Sequence, residues 1–359
     1  MRNAHLAILA AALLSTAGAA AEPAHETART SPMADNPFAQ PSTLAFQLPP
    51  FDRIRDSDYR PAFEAGMREQ LEEVAAIAHN PAPPTFENTI VALERSGQLL
   101  TRVDNVFSRL NACNTDPQMQ QIDTEMAPKL SAQQDAIHLD PALWARVEAL
   151  YAERDTLHLD PESLQLLRRY HTIFVRAGAQ LSPADKARLK ALNGEISTLT
   201  TRFKQNVLKA TAEGAVVVDS AAELDGLTSA QIGAAAQAAA ARGLNGKWLI
   251  TLQNTTNQPL LAHLSNRALR ERIYKASISR GLGGATDNTT VIAQLVKLRA
   301  ERAALLGYKT HAAYQLADES AGPVKVPSVR RKDPVQAGCR LHGSAKRVDV
   351  ANVCIVARQ

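Results

Sequence analysis

The sequence predicts a mainly α fold of long packed helices with one small β hairpin insertion, and three observations carry that prediction. Apolar residues recur at three- and four-residue spacing over most of the chain, helix starts are marked by Asp-Pro and Ser-Pro pairs, and strand-favouring runs occur only at Val216–Val218 and Lys247–Leu252. Of the 359 residues 45% are hydrophobic, enough to bury the core of one large or two ordinary domains.

In chain order, residues 22–50 are rich in Pro, Ser, Thr and Ala without a period, which predicts an extended or disordered lead-in. The folded region is predicted to begin near Phe51. Phe63, Met67, Leu71, Val74 and Ile77 or Ala78 trace the buried face of a first helix, which Asn80 and Pro81 end. Thr85 to Thr89 then supply capping groups for a second helix of about 25 residues, with Ile90, Leu93, Leu100, Val103, Phe107 and Leu110 as its inner stripe. A third helical region spans residues 117–137, and Asp140-Pro141 and Asp160-Pro161 each open another.

The clearest helix starts at Ser182-Pro183 and continues through Leu189, Leu192, Ile196, Leu199, Phe203, Val207 and Leu208, about seven turns with Lys and Arg on the opposite face. Between the two strand-favouring runs, Thr228 or Ser229 caps an Ala-rich helix that closes at Gly243. Helices resume from Gln258-Pro259 through Leu264, Leu269, Ile273 and Ile278. They pause over Gly281–Asn288 and continue from Val291 to Gly307, after which Thr310 is placed to cap a last one.

The helical register stops at Gly322. From Pro323 to Gln359 there is no period, and eight Lys and Arg residues face only Asp333 and Asp349, a local net charge of +6 in a chain whose total is +4. The remainder therefore carries −2, so the isoelectric point near 9.0 reflects the tail and not the body. Charges in the body are interspersed, and aromatics at 4% are too sparse for a base-stacking platform, which excludes nucleic acid as the expected partner.

At the other end, Arg2, the apolar stretch Leu6–Leu14 and the small residues Ala19, Ala20 and Ala21 read as a secretory signal over residues 1–21. The apolar stretch is shorter than the roughly 20 residues a membrane span requires. The expected location is periplasmic or secreted, with no membrane attachment after cleavage. Cys113 is the body's one cysteine and is expected to be a buried helix residue, while Cys339 and Cys354 lie in the tail.

The residues alone display no catalytic constellation. The 359 residues contain no H-E-x-x-H; His25-Glu26 is followed by Thr27-Ala28-Arg29, which lacks the second ligand. His79, His138, His158, His171, His263, His311 and His342 have no second His or Cys at metal-ligand spacing. There is no G-x-S-x-G elbow or phosphate loop, and Gly281-Leu282-Gly283-Gly284 reads as a helix-to-helix connection. Tyr308, Tyr314 and Asp318 around the turn at Gly307 read as structural. The expected catalytic, cofactor-binding and metal-binding residues are accordingly none.

Several ordered blocks nevertheless resemble one family. They are Asn36-Pro37-Phe38, Pro49 to Ile54, Tyr59 to Met67, Pro84 to Ile90, Leu192 to Ile196 with Phe203 and Asn206 to Leu208, and Leu305 to Tyr314. Together these resemble the thimet oligopeptidase and neurolysin type of zinc metallopeptidases, and within it the bacterial peptidyl-dipeptidases, over residues 36–321. The resemblance implies a helical region over residues 51–321 that forms the N-terminal portion of a two-lobed shell around a channel. It also implies zinc as the family's cofactor and oligopeptides, shortened by dipeptides from the C-terminus, as its substrates.

In that family two histidines and two glutamates of a downstream segment hold zinc and activate water, and no position here matches it. The expectation is a chain inactive on its own, with residues 322–359 a non-native tail that follows a reading-frame shift near Gly322. The alternative is a helical scaffold that binds peptides or proteins. Oligomeric state is not readable from the sequence.

Overall fold

The computed structural model describes residues 33–319, apart from the side chains of residues 254–258. Residues 1–21, read from the sequence as a secretory leader, the basic tail, His25, His342, Cys339 and Cys354 lie outside the described residues.

Packing begins earlier than Phe51. Phe38 is buried, its amide donates to Asn36 Oδ1 at 3.0 Å, and Asn36 in turn donates to the Asp58 carbonyl at 2.9 Å. The first helix, α1, covers Asp56–Ala78; its opening turn is fixed by Asp58, whose carboxylate accepts from the Arg55 amide at 2.7 Å. Tyr59, Phe63, Val74 and Ile77 are buried, but Leu71, expected on the same stripe, is 38% exposed.

The single second helix expected from Thr85 is two helices. Thr85 and Asn88 form a reciprocal cap, Phe86–Val91 winds as a π-turn into the short α2 (Ala92–Arg95), and the chain breaks at Ser96 and Gly97 before α3 (Gln98–Cys113). Gly97 has φ +70, and a Cβ there would lie 2.4 Å from Gln70 Nε2. The left-handed backbone demands glycine, whereas the Gln70 side chain could swing aside. The Gly97 amide donates to Glu73 Oε2 at 2.7 Å, which ties the break to α1.

The break lets α3 approach α1 closely at Gly66, where a Cβ would lie 2.8 Å from the Leu100 amide nitrogen. Since that neighbour is backbone and cannot swing aside, Gly66→Ala is expected to destabilise the chain by about 1–3 kcal/mol, read from the midpoint of urea unfolding. An unchanged midpoint would mean that the two helices are not held at this separation.

Helices α4 (Pro117–His138), α5 (Pro141–Ala152), α6 (Pro161–Ala177) and α7 (Pro183–Glu213) each start where Asp-Pro or Ser-Pro predicts, with Asp116, Asp140, Asp160 and Ser182 accepting first-turn amides. Asp160 takes the amides of Glu162 and Ser163, each at 3.0 Å, and the Ser163 hydroxyl at 2.6 Å, which holds its carboxyl below the usual range.

Strands β1 (Val216–Val218) and β2 (Trp248–Ile250) pair antiparallel with Val217 opposite Leu249. The connection between them contains α8 (Ser229–Ala240), so the insertion is a two-stranded ribbon with a helical crossover and not a tight hairpin. Helix α9 (Asn254–His263) begins four residues before Gln258, α10 covers Arg267–Ile278, α11 Thr289–Leu305 and α12 His311–Leu316. Asn288, 2% exposed, seats the glycine loop before α11: it donates to the Phe203 carbonyl at 3.2 Å, and Asn206 donates to it at 2.9 Å.

The fold is thus mainly α, with buried residues gathered in four clusters. Phe38, α1, α3 and α4 enclose the first; the second lies between the end of α1, the π-turn, α5 and α6; the third joins the ribbon to α8, α9 and α10; the fourth joins α7 to α11. Cys113 does not enter any of them. It sits exposed on the last turn of α3, past the half-buried Leu110, so its expected burial is overturned.

Candidate binding cavity

Where α4, α6, α7, α11 and α12 converge they leave a cavity of about 400 Å³, large enough for a small organic ligand. Its polar wall is assembled from distant segments. Asn193 on α7 donates to Asp135 Oδ1 on α4 at 2.7 Å and accepts from Arg302 Nη1 on α11 at 3.3 Å, so one amide bridges a carboxylate and a guanidinium. Leu189, Ile196, Leu306 and Ala127 provide the apolar wall.

The two arginines that line the cavity differ in how they are satisfied. Arg176 donates to the Tyr314 carbonyl at 2.9 Å, lies 3.6 Å from Asp318 and stacks 4.6 Å above the Tyr314 ring. Both Asp318 oxygens also accept from Arg169 Nη1, at 2.7 and 2.8 Å, and these guanidinium contacts hold its carboxyl below the usual range. Arg302 approaches the same ring at 5.5 Å, yet its buried Nε has no hydrogen-bond partner among the described residues. Burial pushes the Arg302 pKa down and that of Asp135 up.

His138 ends α4 at the cavity edge, edge-on to the Phe174 ring at 5.1 Å, and burial lowers its pKa. His311 stands beside Tyr314 with an unpartnered buried Nδ1; burial, followed by the Arg302 and Arg299 charges, pulls its pKa from 6.5 to about 4. Both shifts favour neutral imidazole in the folded chain. The unfolded chain then takes up protons first as pH falls, so stability is full above 6.5 and declines towards about 4. His311→Asn is expected to flatten that decline in unfolding midpoints measured across the window, and an identical slope would contradict it.

Tyr314 and Asp318, read from the sequence as structural, therefore belong to the cavity and its support, and Tyr308 packs edge-on to Tyr314 at 5.2 Å. The other histidines stay apart: His171 pairs with Glu148 at 3.0 Å and stacks on Tyr151, while His79, His158 and His263 are exposed. Among the described residues no three His, Cys, Asp or Glu converge to hold a metal ion, so those residues do not fit a zinc centre. No helix among them is long and apolar enough to cross a membrane.

Residues 260–329 match the sequence model of peptidase family M3, a match that runs past Gly322. The chain is 45% identical over 80% of its length to the dipeptidyl carboxypeptidase of Escherichia coli (strain K12), of which it spans 42%. The dipeptidyl carboxypeptidase of Salmonella typhimurium is 44% identical over 80% of the chain and 43% of that protein. The organellar oligopeptidase A of Arabidopsis thaliana is 28% identical over 84% of the chain and 38% of that protein. The chain resembles the dipeptidyl carboxypeptidases more than the oligopeptidases, and it spans about two-fifths of the length of these relatives.

Proposed function

We propose that this chain is the N-terminal helical part of an exported zinc metallopeptidase that releases dipeptides from the C-termini of oligopeptides, and that it does not perform the reaction alone. The observation that carries the reading is the 45% identity to a dipeptidyl carboxypeptidase sustained over 287 residues. Helices α1 to α12 then form part of the wall of a peptide channel, and the family's zinc ligands come from residues outside this sequence, since it contains no H-E-x-x-H.

In this reading, residues 1–21 direct export to the periplasm or medium, and the basic segment beyond the family match, which ends at residue 329, is out-of-frame translation. The coding DNA tests the second point: one alternative frame downstream of Gly322 is expected to encode H-E-x-x-H, and its absence from both would end the idea. N-terminal sequencing of the secreted chain is expected to begin at or near Glu22; recovery of an intact leader would refute export by cleavage.

A second reading, a helical scaffold that binds peptides or a partner protein, draws support from the cavity under Arg302. Zinc-independent binding of oligopeptides to the chain without turnover would favour it.

A further inference from the structure

We infer that the cavity between α4, α7, α11 and α12 is a binding site for a small organic acid, whose carboxylate pairs with Arg302 and whose apolar body lies against Leu189, Ile196 and Leu306. The inference does not depend on the peptidase reading.

The argument begins with the guanidinium. A buried charge normally has a partner, because the cost of taking it out of water is repaid only by close opposite charge and filled hydrogen bonds. Arg302 has neither in full. Its bond to Asn193 Oδ1, at 3.3 Å, ends on a neutral amide, and its Nε has no partner among the described residues. None of the ion pairs within 4.0 Å among the described residues includes it.

The charged neighbours are committed elsewhere or add to the positive field. Arg176 is matched by Asp318, and Glu301, next to Arg302 in sequence, is taken by Arg188. Asp135 is the carboxylate that faces the cavity; its Oδ1 is held by Asn193, and burial disfavours its charge. Arg302 lies close enough to Arg299 to lower the Arg299 pKa, while Asp135 and Tyr314 offset part of the burial that lowers that of Arg302. Nε is enclosed, so an incoming acceptor would meet the Nη end of the guanidinium, where Nη1 reaches Asn193 and no anion competes within 4.0 Å among the described residues.

The shape of the site selects the class of anion. A planar carboxylate matches the guanidinium fork, whereas a phosphate needs more positive charge than the one uncommitted arginine supplies. The remaining space, in a cavity of about 400 Å³, is bordered by aliphatic side chains and the Tyr314 ring, which suits an apolar residue-sized body.

The test is isothermal titration of the full chain with N-acetylleucine, N-acetylleucinamide and inorganic phosphate. The acid is expected to bind and the amide not. Arg302→Met should weaken the acid at least about tenfold, the effect of losing one charge-assisted hydrogen bond, with Arg302→Lys intermediate. Ser197→Phe, which fills the cavity from α7, should weaken it as well and decides the matter if the Arg302 variants do not fold. Absence of acid binding, equal binding of acid and amide, displacement by phosphate at equal concentration, or unchanged affinity in folded Arg302→Met or in Ser197→Phe would each overturn the inference.

Discussion

Phe63→Ala is expected to cost about 3–5 kcal/mol of folding stability, measured as the shift in urea-unfolding free energy, because it empties the centre of the first core cluster. Phe63 is fully buried on α1 and meets Phe107 of α3 edge-on at 5.3 Å; Tyr59 meets Phe107 at 5.1 Å, and Phe38 meets Tyr59 at 5.4 Å. The four rings join three separate segments of the chain. Neighbouring helices cannot close the gap without disturbing the α1–α3 approach at Gly66, so relaxation recovers little of the loss. A cost under about 1 kcal/mol would mean that this cluster is loosely packed.

Arg146→Met is expected to cost about 3 kcal/mol in the same measurement, for a polar and not an apolar reason. Arg146 on α5 is 8% exposed and serves four acceptors: Thr89 Oγ1 at 3.3 Å, Asn88 Oδ1 at 2.9 Å, and the Asn80 and Ala82 carbonyls at 3.0 and 3.1 Å. One side chain thus fastens the proline-rich connection after α1 to the π-turn. Methionine keeps most of the volume but removes the donor from Thr89 Oγ1 and from the Asn80 and Ala82 carbonyls, while Asn88 Oδ1 keeps the Thr85 amide, so the loss reports hydrogen bonding. If the variant melts like the parent, water has taken the place of the guanidinium.

Helix starts were legible because Asp, Ser and Thr before Pro or before a polar first turn solve a local problem, the unpaired amides, with local residues. The observed caps at Asp116, Asp140, Asp160, Ser182, Thr228 and Thr310 all accept first-turn amides. The break at Gly97 was hidden because the apolar spacing runs through it from Ile90 to Leu110, and the Ser96-Gly97 pair was the available signal. Cys113 was misplaced by its residue type, since its position past Leu110 takes it beyond the packed part of α3.

The cavity was the least legible feature. Asp135, Asn193, Arg302 and Tyr314 are widely separated in sequence, and each has an ordinary place on its helix; Arg302 in particular reads as one more exposed charge on α11. Only the packing of α7 against α4 and α11 brings them together. The turn at Gly307 had drawn notice to Tyr308, Tyr314 and Asp318, but the cations they face lie on α6 and α11.

Zinc analysis of the purified chain, with cleavage of a peptide bearing a free C-terminus in the presence and absence of chelator, tests the central claim most directly. The account predicts no stoichiometric zinc and no dipeptide release. One zinc per chain with chelator-sensitive release would contradict it and place a complete catalytic centre within these 359 residues.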